Sequence, residues 1–180
     1  MASKIKVDQI QTADGTGTIA LQNQLSGMTT ASLPTLTGTE MPTGSIVQVV
    51  STHSTANMTT TSSSMVGTGL IATITPSSSS NKILVTIAGG RTDVGHAHQP
   101  RASLRSSING ASYTEILTNI EERTYTGTAY WGDAHALTYL YSPNTTNSVA
   151  IQPYFMTNTS THYYNTSSCS IGLTLMEIAG

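Results

Sequence analysis

From Asn81 to Gly90 the chain reads Asn-Lys-Ile-Leu-Val-Thr-Ile-Ala-Gly-Gly. Successive side chains of an extended strand point to opposite faces. Ile83, Val85 and Ile87 therefore share one fully apolar face, and Leu84, Thr86 and Ala88 share a mixed one. β-Branched residues suit a pleated, half-buried surface, so the run predicts a strand with one face in a core. A polar turn, Pro76 to Asn81, precedes it. Before that, Gly69-Leu-Ile-Ala-Thr-Ile-Thr75 reads as another strand. Strand, polar turn and strand predict a hairpin-like unit, the seed of an antiparallel β domain.

Further strand signals recur at short intervals. Residues 46–50 open the series. Residues 101–108 and 112–117 flank Asn109-Gly110, the preferred pair for a tight type I′ turn. Residues 134–141 place Leu137, Tyr139 and Tyr141 on one face. Val149, Ile151 and Phe155 share a face of the next strand, and Pro153 on that same face points to a bulge or an edge. In 170–178, Ile171, Leu173 and Leu175 alternate. Met176 and Ile178 then change phase, which predicts a bulge. About eight strands over residues 45–180, without helical periodicity, predict an all-β antiparallel β-sandwich or jelly roll.

The surface of such a domain is unusual. Charged residues are 9% of the 180, against roughly a quarter in ordinary globular chains. Serine and threonine fill the gap at about 30%. Disorder couples low hydrophobicity to high net charge. Here the hydrophobic 37% sits in periodic runs and the net charge is −2, so an ordered protein with a hydroxyl-rich surface is expected. Such a surface suits a chain outside a cell or on a particle. No basic excess supports nucleic-acid binding, and no apolar run is long enough for a transmembrane helix. Met1 to Val7 lacks the apolar core of a signal peptide. Cys169 is alone, which excludes an intrachain disulfide, and is expected as a small buried residue in a late strand. So lightly apolar a domain gains from oligomerisation.

Residues 1–25 form a distinct unit. Ile5, Val7 and, out of phase, Ile10 predict a strand over 4–11. Asp14-Gly15 marks a turn, and Ile19 and Leu21 lie in a second short strand. An isolated hairpin is marginal in water, so this one must pair with other copies or with a docking surface. Residues 26–44, with two prolines and three glycines, read as an extended linker or stem.

The segment Lys4-Ile-Lys-Val-Asp-Gln-Ile-Gln-Thr-Ala-Asp-Gly-Thr-Gly-Thr-Ile19 resembles the opening of many small fibre and virion structural proteins of tailed bacteriophages. Ile74-Thr-Pro-Ser-Ser-Ser-Ser-Asn-Lys-Ile-Leu-Val85 and Leu173-Thr-Leu-Met-Glu-Ile178 look like the distal domains of the same proteins. Those knobs are similar to trimeric jelly rolls of the tumour-necrosis-factor type. The resemblance implies a homotrimer in the virion, assembled in the host cytoplasm. Its anchor would be the hairpin carrying Ile5, Val7, Ile10, Ile19 and Leu21. A stem would follow, then a knob over 45–180. Partners would be the tail or the major capsid protein. The chain has almost no shaft, which leaves open a short adhesin, a head fibre or a capsid decoration protein.

Several constellations could carry chemistry. In Gly95-His-Ala-His-Gln99, a strand would point His96 and His98 to one face. On a threefold axis, three such pairs would offer six imidazoles to a transition metal such as iron, nickel, copper or zinc. The alternative is two polar histidines in a loop before Pro100. No other cofactor is expected. Tyr125, Tyr130 and Trp131 lie in one Gly/Thr-rich loop, and His162, Tyr163 and Tyr164 in another. Exposed loop aromatics can anchor a host-surface glycan or protein; the alternative is that they cover the sandwich ends or fill a subunit interface. Asp133 and His135 would share a strand face, which predicts a local hydrogen bond. Abundant serine makes a chance Ser/His/Asp grouping expected, and no Gly-x-Ser-x-Gly elbow is present. Glu121-Glu122 reads as a solvated loop, because adjacent strand residues point apart. No enzyme activity is expected.

The face of Leu84, Thr86 and Ala88 is too apolar for open water and too small for a second core, so a neighbouring subunit is expected to cover it. The leading expectation is a trimeric fibre or adhesin whose knob meets the host surface. A capsid decoration or cement protein is the alternative, and an unrelated β-sandwich carbohydrate-binding module the next.

Overall fold

The computed structural model describes residues 41–94, 100–122, 131–158, 161–166 and 168–180. The anchor residues Ile5, Val7, Ile10, Ile19 and Leu21, most of the linker, His96, His98, Tyr125 and Tyr130 lie outside the described residues. So do the side chains of Trp131 and Asp133.

The described chain is all-β and antiparallel, with no helix. Its strands are β1 (Ile46–Ser54), β2 (Met58–Thr60), β3 (Val66–Gly67), β4 (Ala72–Ile74), β5 (Lys82–Val94) and β6 (Arg101–Ile108). They continue with β7 (Thr114–Glu122), β8 (Trp131–Tyr141), β9 (Val149–Met156), β10 (His162–Asn165) and β11 (Ile171–Ile178). In the first sheet β11 lies between β1 and β5, and β8 pairs with the other edge of β5. Past the end of β11, β10 joins β5 and carries β2. In the second sheet β9 lies between β6 and the pair β3 and β4, with β7 outside β6.

The inward faces of both sheets form one core. Ile83, Val85 and Ile87 of β5 are at most 1% exposed, and Ile171, Leu173 and Leu175 of β11 are fully buried. They meet Ala72, Ile74, Leu104, Val149, Ile151 and Phe155 from the second sheet. Each of these valine, leucine, isoleucine and phenylalanine side chains contributes about 1.5–3 kcal/mol by leaving water. Tyr141 carries its hydroxyl across the core to Ser106, 3.1 Å away, so that buried serine is satisfied. Leu137, Tyr139 and Tyr141 share the face that packs on this core.

The Asn81–Gly90 stretch is a strand, and it runs on to Val94. Gly89 and Gly90 bend it. Both have positive φ, and a Cβ on Gly89 would stand 2.6 Å from the Ser170 carbonyl oxygen. At this bend β5 leaves β11 and takes β10 as partner. Asn165, fully buried, secures the corner. Its carbonyl accepts from the Arg91 N–H, and its amide donates to the Ala56 and Cys169 carbonyls.

Asn109 and Gly110 both have positive φ, and the Ala111 N–H donates to the Ile108 carbonyl. This is the tight turn expected between β6 and β7.

Four local expectations are corrected. Residues 69–75 and 82–89 do not form a hairpin. β4 pairs with β9 and β5 with β11 and β8, so the turn between them crosses from one sheet to the other. Alternation gives a strand its inner face but not its partner. Pro153 marks neither a bulge in its register with β6 nor an edge. It sits where the neighbouring strand breaks between β3 and β4. Its carbonyl accepts from Thr68 on that side, and no ladder N–H is required there. β11 has no bulge. It pairs with β5 without a shift from Ile171 to Ile178, and the irregularity lies in β1 between Ile46 and Gln48. Met176 and Ile178 lie on the outer face, and the inner position between them holds Glu177. Cys169 is half-buried in the loop before β11, not in a strand.

Candidate functional site

Four surfaces and clusters could carry function, and the first is the outer face of the first sheet. Its registers align side chains into rows across β1, β11, β5 and β8. One row is Val49, Met176, Leu84 and Leu140. The next is Ser51, Thr174, Thr86 and Thr138. A third is His53, Gly172, Ala88 and Ala136. None of these positions is Asp, Glu, Lys or Arg. Val49 is 55% exposed and Leu140 47%, which leaves the apolar row open at both ends. Ser51 and Thr174 share a 3.0 Å hydrogen bond. Leu84, Thr86 and Ala88, singled out as interface residues, occupy the middle of this face. Leu84 and Thr86 are half-buried by their row neighbours and Ala88 is exposed.

The aromatic residues read as receptor loops lie elsewhere. His162, Tyr163 and Tyr164 belong to strand β10. His162 and Tyr164 are 1% exposed. Tyr164 stacks on His135 at 4.1 Å and tilts against Phe155 at 5.6 Å, while His162 meets Phe155 edge-on at 5.3 Å. His135 Nε2 lies 2.7 Å from the Tyr164 carbonyl oxygen, and His162 Nδ1 lies 3.2 Å from that of Met156. These residues close one end of the core and cannot greet a receptor. Tyr163 faces the other way and is half-buried. Trp131 opens β8, paired with Val94, rather than lying in a loop. Glu121 and Glu122 end strand β7. His135 has the Tyr164 carbonyl as a partner, while the Asp133 side chain of the expected histidine–aspartate contact lies outside the described residues.

The third cluster was invisible to the strand pattern. Glu177 is fully buried on the inner side of β11. Its carboxylate accepts from the Ser77 N–H at 2.6 Å and the Ser77 hydroxyl at 2.8 Å. It also accepts from the Asn81 amide at 2.6 Å and the Gln48 amide at 2.5 Å. Gln48 also donates to the Thr75 carbonyl, and Asn81 accepts from the Gly180 N–H. One carboxylate thus ties β1, β11 and the β4–β5 crossover together. Burial pushes its pKa up, but the hydrogen bonds from Asn81, Gln48 and Ser77 outweigh this and hold it below its ordinary value.

The fourth lies on the outer face of the second sheet. The Arg105 guanidinium stands 4.6 Å over the Tyr154 ring and 3.7 Å from the Glu115 carboxylate. Tyr113, just before β7, tilts its ring at 50° to Tyr154, centroids 5.6 Å apart. Burial first, and then the Tyr154 hydroxyl, push the Tyr113 phenol above its ordinary value. The signal available in the sequence was weak, because Arg105 and Tyr154 are brought together only by the β6–β9 register.

Among the described residues no group of three His, Cys, Asp or Glu side chains could hold a metal ion. No family model and no curated protein matches this chain.

Proposed function

We propose that this chain is a structural protein of a bacteriophage particle, a homotrimeric fibre or adhesin with residues 45–180 as its distal knob. The carrying observation is the three uncharged rows in the middle of the first sheet's outer face, with Lys82 standing at the rim beside Ile178. Three copies can bring such faces together without burying a charge, whose desolvation would oppose association. The apolar row supplies area to remove from water, at roughly 25 cal/mol per Å². The hydroxyl row can exchange hydrogen bonds between copies.

The strand order supports a jelly-roll reading of the knob. β1, β11, β5 and β8 lie in one sheet and β4, β9, β6 and β7 in the other. Taken in chain order, these eight strands alternate between the sheets at every step except β6 to β7, as two interleaved Greek keys do. The resemblance of residues 4–19 to virion attachment segments supports an N-terminal dock on the particle. Deleting residues 1–25 is expected to leave a folded knob that no longer joins particles; incorporation of the truncated protein would refute the dock. Antibody labelling of intact virions distinguishes a tail fibre from a head decoration. The trimer itself is tested by light scattering of the full chain, and a monomer at micromolar concentration would refute it.

A further inference from the structure

If the rows of the first sheet face other copies, the outer face of the second sheet is the one left to meet a ligand. Its described surface carries one grouping with both ring faces and strong hydrogen-bonding groups. We infer that Tyr113, Tyr154, Arg105 and Glu115 form a shallow saddle that binds a neutral pyranose of a surface glycan. The inference rests on the reading of the knob as a host-recognition module and gives that module a site and a ligand class.

The chemistry follows from the geometry. The Tyr113 and Tyr154 rings touch at a 50° tilt with centroids 5.6 Å apart, Arg105 covers one face of Tyr154, and both residues keep part of their surface exposed. The C–H face of a pyranose is apolar and flat, and suits such ring surfaces. Arg105, over Tyr154, and Glu115 beside it have side chains 25% and 35% exposed. A guanidinium offers a planar fork of donors and a carboxylate only acceptors. Vicinal hydroxyls, each both donor and acceptor, can satisfy the two together. At 3.7 Å the pair is loose, so hydroxyls can bridge it without displacing a tight ion pair. The charges cancel locally. A phosphate or carboxylate drawn to Arg105 would also meet Glu115, so a neutral sugar is favoured over an acidic one.

The saddle is also preorganised. Arg105 is fixed over Tyr154, and tyrosine has few rotors to freeze. A protein partner fits less well. Interface centres need a broad dry apolar patch, and the neighbouring outer positions in β6 and β9, Ser103, Ser107 and Gln152, are polar and already buried, so they add no apolar surface.

The test uses the full chain with isotopically labelled tyrosine. It is titrated to tens of millimolar with methyl glucoside, methyl galactoside, methyl mannoside, N-acetylglucosamine and rhamnose. The expected result is a saturable shift of the Tyr113 and Tyr154 ring resonances with at least one of them. Tyr113→Ala and Arg105→Ala should each weaken it roughly ten-fold or more. Glu115→Gln, which keeps the shape, should weaken it less. Ring resonances unmoved by all five sugars would overturn the inference, as would undiminished binding by the variants. Tighter binding of glucose 6-phosphate would overturn the neutral class. A response only to unglycosylated peptides from a casein digest would assign the saddle to protein recognition instead. Light scattering on the same sample reads the oligomer separately. A monomer that binds sugar would fail the trimer reading alone, and a trimer that binds none would fail this inference alone.

Discussion

The two outer faces of this domain are built from the same period-two strands, yet they differ in kind. On the first sheet β11 and β5 pair without a shift from Ile171 to Ile178, and β5 and β8 do so from Ile83 to Gly89. Side chains therefore line up in rows, and the rows carry no carboxylate, lysine or arginine. On the second sheet β6 and β7 slip twice, and β9 faces a broken strand. Shifts of this kind increase local twist and re-aim side chains. The result is a cluster, with Arg105 over Tyr154 and Glu115 beside it, in place of rows. Regular register makes a surface that can repeat against its own copy. Irregular register makes one that can hold something small.

The comparison can be broken at defined points, and the largest effect is expected at the clip that closes the first sheet's edge. Glu177→Ala removes the acceptor shared by the Ser77 N–H and hydroxyl and the Gln48 and Asn81 amides, and losing these charge-assisted bonds together should cost about 3–5 kcal/mol, read by urea unfolding. The same group sets a pH dependence. Its folded pKa lies below the ordinary 4.5, so its stabilisation is present above the unfolded value and is lost as pH falls through the folded one. The melting temperature of the native chain should fall in that acid window, and Glu177→Gln should flatten this part of the profile.

Next in size is Leu84→Asp, which places a charge in the middle of the apolar row. It should weaken association by about 2–4 kcal/mol per contact, seen as dissociation on dilution, while the unfolding of the isolated knob changes little. Gly89→Ala tests the bend at which β5 changes partners. With positive φ and backbone only 2.6 Å from the added carbon, it should cost about 2 kcal/mol. The smallest effect belongs to the second face. Arg105→Ala removes a half-exposed ion pair and a cation–π contact, and should change stability by about 1 kcal/mol or less and leave association intact. A large loss of association there would erase the contrast between the faces.

The parts legible in the sequence were those governed by local pattern. Ile83, Val85 and Ile87 in the core, the Asn109-Gly110 turn and the tyrosine face of β8 followed from alternation and turn chemistry. What stayed hidden depended on distant register. His162 and Tyr164 obey the strand period, but a four-residue strand among threonines and serines resembles a loop until β5 and β2 flank it. Glu177 breaks the apolar phase, and a phase break by itself predicts a bulge. A carboxylate is expected inside only when several donors converge on it, and those donors come from Gln48, Ser77 and Asn81, about a hundred residues or more away. Leu84, Thr86 and Ala88 were readable as one mixed face, but the rows they complete appear only when β1, β11 and β8 are aligned beside them.

The central claim is that the uncharged rows of the first sheet meet other copies of this chain. Its most direct test is the mass of the full-length protein in solution by light scattering at micromolar concentration, with wild type and Leu84→Asp side by side. The account predicts wild type near three times 18.9 kDa and the variant shifted toward a single chain with its far-ultraviolet β signal unchanged. Wild type at the mass of one chain, or a Leu84→Asp variant that remains fully trimeric, would contradict it.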